Sequence, residues 1–403
     1  MPGDVVSLGC RLNIAESERI AAMVADEDVV VVNSCAVTVE AVRQTRQAIR
    51  RARRARPDAR LLVTGCAADI ERDQIAAMPE VDGLVPNAEK LDARRYNLSS
   101  SEGWNLPKAR ERSRPLLGHT AVHTRAFIAV QNGCDHACTF CVIPQGRGSS
   151  RSLSVAEVLR EVERHLEQGA PEIVLTGVDV TSWGHDLPGS PSLGTLVAAV
   201  LNEFSEVRRL RMSSIDGAEL DPALFELFAD DKRVMPHLHL SLQHGADLIL
   251  KRMKRRHSRA QAVDLVHALR ERRPDLALGA DIIAGFPTET EGHHADNLSI
   301  VRELPVVHGH VFHYSPRPGT PAARMPQLDP ATIKARAAEL RAAVAQTRRE
   351  WLARLVGKPQ LVLAERDGTG YAENFARVAL PEGTQLGTIV TVTPTTIEEG
   401  LLA

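Results

Sequence analysis

Residues 133–141 read Gly133-Cys134-Asp135-His136-Ala137-Cys138-Thr139-Phe140-Cys141, directly behind a strand-like run at 125–131. Three thiolates in a Cys-x3-Cys-x2-Cys loop can wrap one corner of a cube and ligate three irons of a [4Fe–4S] cluster. The fourth iron then lacks a protein ligand and is open to a small molecule. Zinc is the competing reading, but zinc normally takes four ligands. His136 is the one candidate to complete the set, and it is squeezed inside the loop where its reach is poor.

Outward from this loop, strand and helix patterns alternate six times between 125 and about 345. The strand-like runs are 125–131, 172–177, 207–213, 237–243, 278–285 and 307–314. Several of the intervening helices carry start signals. Ser154 with Glu157 and Ser258 with Gln261 form capping boxes, and Asp221-Pro222 is an N-cap followed by Pro at the first helical position. Six βα units predict a parallel sheet curled into a partial (β/α)6 barrel over 125–349.

The other three cysteines lie upstream, in residues 1–108, where strands at 4–9, 29–33, 60–64 and 81–85 alternate with helices at 15–25 and 41–56. This predicts a small N-terminal α/β domain of flavodoxin-like type. Cys10, Cys35 and Cys66 each follow one of its strands, as Leu8-Gly9-Cys10, Asn33-Ser34-Cys35 and Thr64-Gly65-Cys66. A lone buried Cys is usually a small hydrophobe. Three at the same structural position, on strand ends that lie side by side, predict a second cluster with its own open iron. The six cysteines thus divide three and three.

A polar linker, 109–124, separates this domain from the barrel. A long Arg-rich helix at 330–355 leads to the last residues, where strands at 360–365, 371–380 and 388–393 predict a small all-β module over 350–403. The formal net charge of −2 argues against a chain that attracts nucleic acid over its whole surface. Aromatic residues make up 3% of the chain, so any RNA contact leans on Arg and backbone. No run approaches a membrane span, and Met1-Pro2-Gly3-Asp4 shows no signal-peptide pattern. The expectation is a cytoplasmic chain, where thiols stay reduced.

The Cys134/Cys138/Cys141 loop behind a first barrel strand resembles the radical S-adenosylmethionine (SAM) superfamily. Leu8-Gly9-Cys10-Arg11-Leu12-Asn13, Asn33-Ser34-Cys35-Ala36-Val37-Thr38, Leu175-Thr176-Gly177-Val178, Ser241-Leu242-Gln243 and Gly285-Phe286-Pro287-Thr288-Glu289-Thr290-Glu291 together resemble the methylthiotransferase family over almost the whole chain. Gly370-Tyr371-Ala372-Glu373-Asn374 resembles the RNA-binding TRAM module that closes such enzymes. The first two stretches are most similar to the branch acting on threonylcarbamoyladenosine at position 37 of tRNA. The neighbouring branches take isopentenyladenosine tRNA or an aspartate of a small-subunit ribosomal protein. The one departure is the interval from Cys10 to Cys35, which is shorter than the family pattern.

What the resemblance implies is concrete. Two [4Fe–4S] clusters are expected, one on Cys134, Cys138 and Cys141 that binds SAM, the other on Cys10, Cys35 and Cys66 that presents sulfur. A second SAM gives the methyl group. The C2 hydrogen of adenine is neither acidic nor easily displaced, so removing it calls for radical chemistry supplied by a cofactor. Gly177, Asp179, Ser213, Gln243, Pro287, Tyr314 and Ser315 fall at or just beyond strand ends, the rim where barrel enzymes build sites. Asp179 and Gln243 are the candidates for SAM hydrogen bonds; ordinary loop capping is the alternative. Arg147 is placed against SAM or an RNA phosphate, with a solvated loop as the alternative. The partners implied are tRNA, SAM, an electron donor and a sulfur source, with a monomer expected.

Two further features receive bland readings. The basic run over 43–56 is a solvated helix face rather than an RNA site. The fifteen histidines show no metal-ligand spacing, and no role is assigned to them. A non-catalytic, RNA-binding iron–sulfur sensor is the rival from a different class. It needs one cluster and no populated rim.

Overall fold

The computed structural model describes residues 3–96 and 124–403. Nearly all of the predicted linker lies outside the described residues. Two compact units are present, and they are not collinear with the sequence. The first combines the N-terminal region with 133–135 and 142–149, and the second holds 124–132, 136–141 and 150–403.

Among the described residues, the first unit has four parallel strands: β1 (Asp4–Ser7), β2 (Val29–Ser34), β3 (Arg60–Gly65) and β4 (Gly83–Leu84). Its helices are α1 (Arg11–Val24), α2 (Val39–Ala55), α3 (Cys66–Ile70), α4 (Arg72–Ala76) and α5 (Ile143–Arg147). The run Val29-Val30-Val31-Val32 is buried on both faces, as a central parallel strand demands. Val30 and Val32 pack with Ile49 of α2, while Val29 and Val31 pack with Ile20 and Val24 of α1. Helices therefore cover both faces, but the strand order is the sequential β1-β2-β3-β4, without the reversal of a flavodoxin sheet. The difference lies in β3, which pairs with β2 rather than with β1; the short Cys10–Cys35 interval holds α1 alone.

The second unit begins with β5 (Ala126–Ala129), β6 (Gln131–Asn132) and β7 (Arg151–Ser152). The barrel continues through α6 (Val155–Glu167), β8 (Ile173–Thr176), α7 (Leu193–Glu203), β9 (Leu210–Met212), α8 (Pro222–Asp230) and β10 (His237–Gln243). It closes with α9 (Asp247–Arg252), α10 (Arg259–Arg272), β11 (Ala277–Ala284), α11 (Glu291–Glu303) and β12 (Val306–His313). The capping boxes of α6 and α10 and the Asp221 cap of α8 form as predicted. Six parallel strands are present, but as two three-stranded sheets, β5-β8-β9 and β10-β11-β12. Isolated parallel bridges, Leu210 to Val234 and Ile215 to Leu240, carry the curl between them. The core lies beneath the helices, where Ile128, Leu175, Leu210, Leu240 and Ile282 meet Val158, Val197, Leu224, Val266 and Ile300.

Helix α12 (Pro330–Ala353), capped by Asp329, packs on β12 and leads into a terminal sheet. That sheet contains β13 (Gln360–Ala364), β14 (Thr369–Ala372), β15 (Arg377–Ala379), β16 (Ile389–Val392), β17 (Ile397–Glu398) and β18 (Leu401–Leu402), in the order β16-β13-β14-β15-β18-β17. It belongs to the same unit as the barrel, and the joint is charged. Buried Glu172 accepts from Arg209 Nε and Arg211 Nε, each at 2.9 Å. The same two guanidiniums donate to the carbonyls of Tyr371, Ala372 and Glu373. Phe375 stacks on His237 at 4.7 Å and on Tyr371 at 4.6 Å, so these two aromatics pack at this joint. Among the described residues, no helix is long and apolar enough to cross a membrane.

Candidate functional site

In the first unit β1, β2 and β3 are paired in register, so their C-terminal ends lie abreast. Cys10 caps α1, Cys35 follows β2 and Cys66 opens α3. Glycine is required at the first of these ends. Gly9 has φ +97°, and a Cβ there would stand 2.9 Å from the Cys35 sulfur. Burial pushes the Cys35 thiol up to about 11, and the nearby Cys10 and Cys66 push it the same way. Cys66 is also raised, chiefly by burial, while Arg147 and Lys90 pull it back. Sulfurs this close become thiolates together only against positive charge. Iron is such a charge, and a set of three sulfur donors fits one corner of a [4Fe–4S] cluster.

Arg147 requires a correction. It does not lie in a solvated loop. It ends α5, is 3% exposed, and its two terminal nitrogens meet the Glu16 carboxylate at 2.9 and 3.0 Å. Asn13 accepts from it as well, and Lys90 completes the group with a buried ion pair to Glu16. Burial alone raises the Glu16 carboxyl, but Lys90 and Arg147 outweigh it and hold the group below its usual range. Two cations against one carboxylate leave net positive charge beside the cysteines. Such charge suits an anionic cluster. The reason for the misreading is that α5 packs on α3, which the spacing around Gly146-Arg147-Gly148 does not reveal.

The Cys134–Cys141 loop is anchored along its length. Gly133 has φ +78°, and a Cβ there would collide with the Ser149 carbonyl, so the turn into Cys134 needs glycine. Cys134 N–H donates to Gly148 at 3.1 Å. Thr139 donates through its N–H to Met253 and through its hydroxyl to Arg252. Phe140 meets Phe286 edge-on at 6.5 Å. Arg255 approaches the Cys138 sulfur at 3.5 Å while its other nitrogen donates to Asp216 at 2.8 Å. His136 pairs with Asp179 and lies 3.7 Å from Glu219. The hydrogen bond to Asp179, then that to Glu219, raises it to about 10.

The predicted rim residues lie at strand ends or just beyond them, the edge where barrel sites are built. Gly177 follows β8, and a Cβ there would press on Gln131, whose side-chain oxygen accepts from Asp179 N–H at 3.0 Å. The Asp179 carboxylate is tied to His136 and Ser182. Ser213, after β9, has a buried hydroxyl with no partner among the described residues, a group that suits a ligand. Gln243 ends β10 at φ +66°, an uncommon conformation for a residue other than glycine. Pro287 sits in a loop organised by buried Glu289, which accepts from Gly285 N–H and Phe286 N–H at 2.9 and 3.1 Å. His244 and Arg336 hold Glu289 in turn.

Comparison with known proteins places this geometry. A model of the radical SAM superfamily matches residues 128–299, and one described as Uncharacterized protein family UPF0004 matches 4–86. A threonylcarbamoyladenosine tRNA methylthiotransferase, MtaB, of Rickettsia prowazekii is 43% identical over 99% of this chain and 96% of its own length. The chain belongs to the radical-SAM methylthiotransferase family. The Bacillus subtilis protein named MtaB is 32% identical over 96% of this chain and 92% of its own. A tRNA-2-methylthio-N(6)-dimethylallyladenosine synthase of Erythrobacter litoralis is 33% identical over 90% and 86%. Among solved structures, the radical SAM methyltransferase TsrM of Kitasatospora setae, with cobalamin and a [4Fe–4S] cluster, has a TM-score of 0.54. It covers 77% of this chain and 70% of its own at 15% identity, a likeness of fold alone.

SAM and a [4Fe–4S] cluster are the cofactors of this superfamily, and the Cys-x3-Cys-x2-Cys loop is a donor set that suits such a cluster. Sequence reading of this methylthiotransferase missed Glu16, Lys90, Asp216, Arg255 and Glu289. Only Glu289 had a signal, inside the quoted Gly285–Glu291 stretch. Glu16 and Arg147 are 131 residues apart, and no local pattern joins them.

Proposed function

We propose that this protein puts a methylthio group on C2 of N(6)-threonylcarbamoyladenosine at position 37 of tRNA, using two SAM and two [4Fe–4S] clusters. The observation that carries the reading is the pair of separate three-cysteine sets, each offering three sulfurs. Cys134, Cys138 and Cys141 are assigned the SAM-binding cluster, and Cys10, Cys35 and Cys66 the second. Bound there, the cofactors supply one-electron chemistry able to break an unactivated C–H bond.

The chain's own residues position and balance charge. Arg255 and the Arg147/Lys90 pair set positive charge beside sulfur. Gly177, Asp179, Ser213, Gln243 and Pro287 line the SAM side. His136, fixed as a cation by Asp179 and Glu219, steadies the cysteine loop. Residues 350–403 grip tRNA through its backbone, 1–108 present sulfur and 125–349 bind SAM.

The substrate assignment rests on the Leu8–Asn13 stretch and on what the Rickettsia and Bacillus relatives are named. The relatives named for dimethylallyladenosine support isopentenyladenosine as the second reading. Mass spectrometry of tRNA nucleosides from a strain lacking the gene separates the two. Loss of the methylthio form of threonylcarbamoyladenosine alone is expected. Loss of methylthio-isopentenyladenosine instead would transfer the assignment to the second branch.

A further inference from the structure

The histidines left without a role in the sequence gather on one face of the second barrel half. Along β10 to β12, Leu238, Leu240, Ala280 and Ile282 belong to the core beneath the helices. Strand alternation puts His239 and Asp281 on the opposite, inner face. Asp281 stands between two imidazoles, with His239 Nε2 and His310 Nδ1 each 3.1 Å from its Oδ1. Ser214 donates to its other oxygen at 3.4 Å. Room for the His239 ring comes from Gly279, where a Cβ would fall 2.2 Å from Nδ1.

The group is open to solvent on one side. β12 ends the order β10-β11-β12, so among the described residues no strand pairs beyond it. The His310 side chain is 61% exposed. Two residues along, on the same face of the strand, Phe312 is 40% exposed. It is the one aromatic among the large hydrophobic residues that are exposed in the described structure, and its ring lies 6.4 Å from that of His310. An exposed ring next to a polar cluster is what a base with a polar substituent requires.

We propose that Phe312, His310, Asp281 and His239 form the seat of the target nucleoside, with the adenine on Phe312 and its N6 substituent against the His–Asp–His group. The proposal rests on the function proposed above and names the residues that choose the substrate. The chemistry matches a carbamoyl-linked amino acid. Its N–H groups can donate to Asp281, and imidazole N–H groups can donate to its carboxylate and hydroxyl. An apolar substituent would leave these side chains unpaired, and sites built to hydrogen-bond reject analogues that cannot.

The test uses the full-length, cluster-loaded protein and tRNA transcripts that carry either threonylcarbamoyladenosine or plain adenosine at position 37. Equilibrium binding and kcat/KM are measured for both. Phe312→Ala is expected to weaken binding of both tRNAs about tenfold, a usual loss for one stacked base. His310→Ala and Asp281→Asn are expected to lower the preference for the modified tRNA by about tenfold or more, chiefly through KM. Asp281→Asn keeps the side-chain shape, so it remains informative if an alanine variant does not fold.

If the wild type discriminates and the variants discriminate equally well, this proposal falls and the parent function stands. If the wild type methylthiolates no such tRNA, the parent function falls with it. The three ligand atoms lie within 4.8 Å of one another. A stoichiometric divalent ion beyond the cluster iron, lost in Asp281→Asn, would therefore overturn the proposal in favour of a cation site.

Discussion

At the scale of single residues, what sequence reveals is chemistry tied to a strand end. The positions of all six cysteines were legible because each follows a strand or lies in one short loop. Their counter-charges were not legible. Glu16, on the buried face of α1, shows no sign that it meets Lys90 and Arg147. Removing its charge should be costly, because two cations would stay buried without a carboxylate. Glu16→Gln is expected to lose about 3–5 kcal/mol in denaturant unfolding of the full chain. The sign with pH follows from its lowered pKa. This contribution is full above the ordinary carboxylate value, is lost as pH falls through the lower folded value, and should be absent from the variant. Equal acid sensitivity of variant and wild type would count against a charged Glu16.

At the scale of elements, helix starts were legible because a cap is a local event. Ser154, Asp221 and Ser258 act through partners within three residues. The break between the two barrel sheets and the two-residue strands β6 and β7 were not, since both depend on distant pairing. Nor was the docking of the terminal sheet. The Gly370–Asn374 stretch reads as part of an RNA-binding module, yet its carbonyls at 371–373 accept from Arg209 and Arg211. Glu172 aligns both arginines and is held below its usual range; burial opposes this, and Arg211 and Arg209 overcome it. The latch should therefore hold above ordinary carboxylate pH and fail as acid protonates Glu172. Glu172→Gln should release the terminal sheet at neutral pH, seen as faster proteolysis between barrel and sheet. Unchanged protection would contradict the latch.

The same joint changes how RNA binding is best tested. Deleting the module would uncover Glu172 and its arginines, so charge reversal is cleaner. Lys358, Arg366 and Arg377 are exposed on it. Reversing all three is expected to weaken tRNA binding and to flatten its salt dependence by about 0.7–0.9 in log–log slope for each phosphate no longer neutralised. An unaltered slope would move tRNA recognition off this module. The basic helix α2 is a poor substitute, since Arg46 and Arg53 already pair with Glu71 and Asp82, and Arg56 just past its end pairs with Asp28.

At the scale of the whole molecule, the α/β order and the partial barrel were legible because each βα unit repeats one local pattern. The division into units was not. Residues 133–135, which open the cysteine loop and include Cys134, and 142–149, which follow it, join the first unit, and sequence order cannot show that. The account stands on two cysteine sets with two different tasks. The direct test is iron content and product analysis of wild type, a Cys134/Cys138/Cys141→Ala variant and a Cys10/Cys35/Cys66→Ala variant, each reconstituted without oxygen. The account predicts about eight iron in the wild type and about four in either variant, as cubane ligation by three cysteines implies. The Cys10/Cys35/Cys66 variant should still form deoxyadenosine from SAM and yield no methylthio nucleoside. Full methylthiolation by that variant, or zinc in place of iron, would contradict it.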